Sequence, residues 1–175
     1  YSKADILLFG NAERALVEVT QRVAAGEKMS EIRDVRGTAF LAPKGWLPAG
    51  WVELDSSVVD IPGKVEAHPN PYAMEDEKQK SAAADTPPDA PQTIQIVSRE
   101  ARLAARREIR GRTVIRIPSF ETVTYDPVSY AHASRTLHLE SNPGNARALV
   151  QQHGERDVWM NPPPIPLETK EMDYA

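Results

Sequence analysis

The chain has 175 residues, 41% of them apolar, with a formal net charge of −4 and no cysteine. That length fits one ordinary domain or two small pieces, and the mild acidity gives no global pull toward nucleic acid or an acidic membrane surface. The missing thiols exclude disulfides, a thiol nucleophile, thiolate-held zinc and a cysteine-ligated iron–sulfur cluster within these residues.

The 15 prolines concentrate in the middle and near the C-terminus, which predicts long irregular stretches. No apolar run approaches the ~20 residues of a membrane span, and no signal peptide is visible. The composition is compatible with a cytoplasmic protein, and no membrane partner is expected. The first residue is Tyr1, a strand-like run follows at once, and the last residues open an unfinished helix. Both ends read as cuts through a larger protein.

Taken in chain order, Ala4 to Phe9, apolar apart from Asp5, predicts a strand covered on both faces in a parallel sheet. Gly10 closes it and Asn11 is the expected N-cap of a helix. Ala12, Ala15, Leu16, Val19 and Val23 recur as one apolar helical stripe, and Gly26 is placed to end the helix at C′. Val35 to Leu41 predicts a strand, turned at Pro43-Lys44-Gly45 into a hairpin whose partner lies within 46–54. Residues 62–91 read as a flexible surface insertion.

Thr93 to Val97 alternates as a strand, and Ser98 is placed to cap a helix over 99–109. Arg99, Arg102, Arg106 and Arg110 share one face of that helix. Thr113 to Ile117 predicts another strand. Asp126-Pro127 is an N-cap followed by proline at the first helical position. Asn142-Pro143 repeats that signal and predicts a second helix running to Gly154. Asp157 to Asn161 predicts a short strand, and Glu168 onward the first turns of a helix. These elements give an α/β fold: a partial Rossmann-like strand–helix–hairpin, an inserted segment, a linking α/β segment and long irregular stretches.

The residues show no complete catalytic centre and single out no catalytic residue. His68, His132, His138 and His153 lack the spacing of a helical metal site, so no metal ligand is assigned. His138 and Glu140 flank one residue and would be neighbours in an extended segment. The turn formed by Gly10, Asn11 and Glu13 follows a strand and opens a helix, where open α/β sheets bind ligands. It is the candidate cofactor contact, against the plainer reading of a simple connection. The arginine face over 99–110 offers an alternative, an interaction module that grips RNA phosphates. No aromatic residues are interleaved with it and Glu100 and Glu108 dilute it, so a solvated face is favoured over nucleic acid.

Several phrases are more specific: Asp5-Ile6-Leu7-Leu8-Phe9-Gly10-Asn11-Ala12-Glu13-Arg14, Ile32-Arg33-Asp34-Val35-Arg36-Gly37-Thr38-Ala39-Phe40, His68-Pro69-Asn70-Pro71-Tyr72, Asn142-Pro143-Gly144-Asn145-Ala146-Arg147, and Asp157-Val158-Trp159-Met160-Asn161-Pro162-Pro163-Pro164-Ile165-Pro166. Together they resemble the YgiQ family of radical S-adenosylmethionine proteins over nearly the whole chain except residues 75–91. The resemblance implies that 1–55 ends a Rossmann-like, cobalamin-binding-like domain, that 56–118 is an insertion, and that 119–175 leads into a radical barrel. It implies a [4Fe–4S] cluster and S-adenosylmethionine for the whole protein, held beyond Ala175, and a non-catalytic role for this piece. The 10–13 turn matches in position the Gly-x-x-Glu turn of cobalamin-type domains, but the earlier cobalamin motif is absent from the chain, which argues against cobalamin. The expected partners are the remainder of the protein and a substrate that the residues do not specify.

Overall fold

The computed structural model describes residues 4–63 and 108–173. Six strands form one mixed sheet in the order β1-β2-β6-β5-β4-β3. They are β1 (Ile6–Leu8), β2 (Thr38–Pro43), β3 (Val52–Asp55), β4 (Thr113–Ile117), β5 (Ala148–His153) and β6 (Arg156–Met160). The helices are α1 (Glu13–Ala24), α2 (Phe120–Tyr125), α3 (Pro127–Leu139) and α4 (Thr169–Met172). The architecture is α/β, as the sequence predicts. The strand expected over 93–97 and the helix expected from Arg99 lie outside the described residues, except for helical backbone at 108–111.

The sheet has a parallel end and an antiparallel end. β3 pairs with β4 and β4 with β5 in parallel, the second crossover running through α2 and α3. Ile115, Ile117 and Leu149 point to one face, where Ala133 of α3 covers them. On the opposite face Val114, Ala148, Val150, Phe40, Ala42 and Trp159 form a second core under Trp46 and Trp51. α1 rests on β1 through Ala15, Val19, Ile32 and Val35, with Ile6 and Leu8 beneath.

Local signals account for several elements. Asp126 accepts from the backbone N–H groups of Val128 and Ser129, and Pro127 follows at the first helical turn. Gly26, at φ +94°, ends α1, with its N–H on Val23 O and the Glu27 N–H on Arg22 O. β4 lies over the predicted Thr113–Ile117, and β6 begins one residue before the predicted Asp157–Asn161 and ends one before it.

Other expectations are corrected. β1 is an outer strand, antiparallel to β2, and Leu7 is 55% exposed. An apolar run alone does not say whether both its faces are covered. The cap of α1 is Ala12 without a side-chain hydrogen bond, in place of Asn11. Of its stripe, Ala15 and Val19 are buried while Leu16 and Val23 are exposed.

The expected hairpin does not form: the chain turns after Pro43, but β3 crosses to the far edge and joins β4. Asn142-Pro143 starts only a single turn, in which Asn142 Oδ1 accepts from the Gly144 N–H and its carbonyl from the Ala146 N–H. Ala148, Leu149 and Val150 then enter the sheet as β5, buried on both faces between β4 and β6. Gly154, at φ +56°, makes the two-residue turn into β6. α2 is unanticipated: Ser119 caps it by accepting from the Thr122 N–H, but Thr122, Val123 and Thr124 are β-branched and obscure the helical signal.

Candidate functional site

Residues 161–167 cross the N-terminal strand–helix unit as a strap. Asn161 is buried and its side-chain amide donates to Arg33 O, Val35 O and Thr38 Oγ1, while its Oδ1 accepts from Trp159 Nε1 at 3.0 Å. The Gly37 N–H donates to Pro162 O at 2.8 Å. Pro164 then lies over two glycines: a Cβ on Gly10 would stand 3.1 Å from its Cγ, and one on Gly37 2.9 Å from its Cδ. Both glycines have positive φ, so the backbone and the close approach each require glycine.

Beyond the prolines, Arg14 donates from Nη1 to Ile165 O and from Nε to Glu171 Oε1 at 2.8 Å, with a second contact from Nη2 to Oε2. Glu171 also closes the capping box of α4 on the Glu168 N–H. These donors hold the Glu171 carboxyl down at about 2.

The three residues singled out as a cofactor contact occupy this seam unequally. Gly10 is packed against Pro164, whereas Asn11 and Glu13 are exposed at the start of α1.

A cavity of about 440 Å³ opens beside the strap, walled by Trp46, Trp51, Trp159, Arg33 and Arg36, with Glu31 and Asp34 among its other lining residues. Trp46 and Trp51 meet the buried Trp159 edge-on at centroid distances of 5.2 and 5.5 Å. The Arg33 guanidinium stands 4.8 Å from the Trp46 ring centroid, a cation–π contact. Arg36 is tied by Nε to Pro163 O and by Nη2 to Pro143 O, and burial presses its pKa below the usual arginine range. The sequence assigned none of these residues a role, although Arg33, Arg36 and Trp159 lie in the phrases that carry the resemblance. The Arg33-x-x-Arg36 spacing and the tryptophans are visible there, but positions 36 and 159 meet only through the fold.

Two arginine–carboxylate networks lie elsewhere. Asp157 is fully buried and accepts from Arg116 and from the Gly45 N–H, while Arg116 also grips Glu53. Burial pushes the Asp157 carboxyl up, but these donors outweigh it and hold the group below the ordinary carboxylate range. Buried Glu140 accepts from the Arg147 N–H at 2.7 Å and from its guanidinium, with Arg110 3.7 Å away. Of the expected arginine face, Arg110 is half-exposed, reaching toward Glu140 and donating to Asn145 O, and Arg99, Arg102 and Arg106 lie outside the described residues.

The histidines do not assemble. His68 lies outside the described residues, His138 is exposed near the end of α3, and His153 stacks on Phe120. His138 and Glu140 are not neighbours along a strand, because α3 continues to Leu139. His132 Nε2 lies 2.9 Å from Ser56 Oγ and Nδ1 3.4 Å from Asp60 Oδ2. That order resembles a nucleophile, base and orienting acid. Ser56 and His132 are each only 3% exposed, so the set ties α3 to the end of β3 and presents no serine to a substrate.

Among the described residues no group of three His, Cys, Asp or Glu side chains is arranged to hold a metal ion. The donor set does not fit a [4Fe–4S] cluster, because the chain contains no thiolate. No described helix is long and apolar enough to cross a membrane.

A family profile described as Radical SAM N-terminal matches residues 1–175. A UPF0313 protein of Chromobacterium violaceum is 67% identical over 99% of this chain and 23% of its own length. A UPF0313 protein of Pseudomonas aeruginosa is 56% identical over 98% of the chain and 23% of its own length. The UPF0313 protein YgiQ of Escherichia coli is 50% identical over 98% and 22% respectively. The chain therefore spans less than a quarter of the length of these relatives. No solved structure matches it. On the full-length match and these identities, the chain belongs to the radical SAM N-terminal family, among the UPF0313 proteins that include YgiQ.

Proposed function

We propose that this chain is a non-catalytic positioning part of a radical S-adenosylmethionine protein, and that the [4Fe–4S] cluster and S-adenosylmethionine are held by residues outside it. The donor set carries the reading: a family member without a thiolate in these 175 residues needs its cluster ligands from elsewhere in the protein. The strap supports the connecting role, since it fixes the course of residues 161–167 against β2 and α1 through the Asn161, Arg36 and Arg14 hydrogen bonds.

The division into a Rossmann-like end at 1–55, an insertion at 56–118 and a lead into a barrel at 119–175 belongs to the same proposal. The three parts share one sheet: β1, β2 and β3 come from the first, β4 from the second, β5 and β6 from the third. The turn of Gly10, Asn11 and Glu13, with Asn11 and Glu13 exposed at the start of α1, is where this part would face a cofactor. The same reading places the protein in the cytoplasm, with the remainder of the polypeptide and a substrate as its partners.

Anaerobic reconstitution of the complete protein with iron and sulfide tests this. Glu13→Ala and His153→Ala should leave the iron content and the cluster absorption unchanged. Loss of iron in either variant would show that this chain supplies cluster ligands and would overturn the proposal.

A further inference from the structure

The cavity walled by Trp46, Trp51 and Trp159 has an unusual charge balance. Six half-buried arginines, Arg14, Arg22, Arg110, Arg116, Arg135 and Arg147, each have a carboxylate at 3.7 Å or closer. Arg33 and Arg36 are half-buried as well, and among the described residues neither has an ion-pair partner. The two carboxylates lining the cavity are engaged elsewhere, Glu31 with Lys28 at 3.7 Å and Asp34 with Arg22 at 2.7 Å. Two guanidinium groups therefore share one aromatic cavity without a direct ion pair among the described residues, and taking a cation out of water without one is costly.

The donors are positioned and incompletely used. Arg36 is fixed by Nε and Nη2 on Pro163 O and Pro143 O, which leaves Nη1 without an acceptor among the described residues. Arg33 is fixed by Nε on Ser30 O and by the Trp46 ring, and its two terminal nitrogens likewise take no described acceptor. Guanidinium forks match carboxylate and phosphate oxygens. The neighbouring indoles offer flat apolar surface, and Trp46 and Trp51 are only half-buried. A cavity of about 440 Å³ lies within the size range of small-molecule sites.

We propose that this cavity binds a small planar-ring compound carrying an anionic group, the ring against Trp46 and Trp51 and the anion on Arg33 and Arg36. The anion is a phosphate, as in a mononucleotide, or a carboxylate, as in an aromatic acid; both present the same oxygen geometry to the forks. Binding of this kind needs no thiolate.

The chain carries its own reporter, because its three tryptophans all line this cavity. Intrinsic tryptophan fluorescence of the 175-residue chain, excited on the red edge of the indole band, is followed during titration with AMP, nicotinate, adenosine and inorganic phosphate. We expect saturable quenching at sub-millimolar concentration by AMP or nicotinate. Adenosine and phosphate, each lacking one half of the recognised group, should bind at least about tenfold more weakly. Tighter binding of AMP points to a phosphate source and tighter binding of nicotinate to a carboxylate source. Arg33→Gln should weaken the better ligand about tenfold. Arg33→Lys, which keeps the charge but loses the fork, should fall between, and it is the variant to read if Arg33→Gln does not melt cooperatively. The proposal is overturned if neither AMP nor nicotinate saturates below millimolar concentration, if adenosine binds as tightly as AMP where AMP is the better ligand, or if the Arg33 variants bind like the parent chain.

Discussion

The two ends of the sheet are stabilised by different kinds of contact. At the parallel end, α3 follows β4 closely in the chain, is capped by Asp126, and lies on the strands that flank it in sequence. At the antiparallel end, β1, β2 and β6 are gathered by side chains that lie far apart in sequence: Asn161 on Val35, Arg36 on Pro163 and Arg14 on Glu171 are separated by 126, 127 and 157 positions. The β4–α3–β5 unit is built from local instructions and the strap from long-range closure, whose entropic cost must be met before its contacts form. Substitutions in the two regions should therefore differ in reach.

Trp159→Ala is expected to have the largest effect, because the ring joins both ends. It faces Phe40 of β2, and its residue pairs with Val150 of β5. Truncating a buried tryptophan removes about 3–5 kcal/mol. Chemical denaturation should show a single transition at much lower denaturant. Two separate transitions would mean that the parallel and antiparallel ends unfold independently, and the shared core would then not couple them.

Asn161→Ala should cost less, about 1–3 kcal/mol, because Arg33 O, Val35 O and Thr38 Oγ1 lose a buried donor. The distinguishing measurement is amide hydrogen exchange. Faster exchange should be confined to β1, α1 and the strap, with α3 protected as before. Uniform acceleration would erase the proposed difference between the ends. Asp126→Ala is the counterpart at the parallel end and removes only an exposed cap, a smaller loss again. It should speed exchange in the first turn of α3 and leave β1 and the strap untouched.

The same contrast explains which parts of the fold were legible in the sequence. β4 over Thr113–Ile117 and the start of α3 at Asp126-Pro127 are written in adjacent residues, by a short β-branched run and by a cap. The partner of Val52–Asp55 is not. Alternation marks a strand, yet the choice between β2, close in sequence, and β4, beyond the insertion, is made by the faces that need covering. Ala148–His153 failed for a related reason. Its apolar run suits a helix or a doubly covered strand, and neighbours on both sides decide. Gly10 was visible as a turn, but its packing against Pro164 was not, and the arginines and tryptophans of the cavity come from three separate stretches of chain.

The smallest expected effect lies in the exposed pair that fastens the far end of the strap. In the folded chain Arg14 and the Glu168 N–H hold the Glu171 carboxyl at about 2, against an ordinary value of 4.5. A carboxyl depressed on folding contributes stability that is fully present above its unfolded pKa and is lost as pH falls through the folded value. The contribution should therefore fade between about pH 4.5 and about pH 2. Both side chains are substantially exposed, so salt should weaken it. Arg14→Gln should move the Glu171 midpoint, followed by NMR of its side-chain carboxyl, upward toward the ordinary value, while the capping hydrogen bond from Glu168 keeps it somewhat below. A midpoint unchanged by Arg14→Gln would assign the depression to the capping box alone. The strap would then be held by the Arg14 bond to the Ile165 carbonyl and by the packing of Pro164 on Gly10 and Gly37, and the depression of Glu171 would be a local property of α4, as the Asp126 cap is of α3.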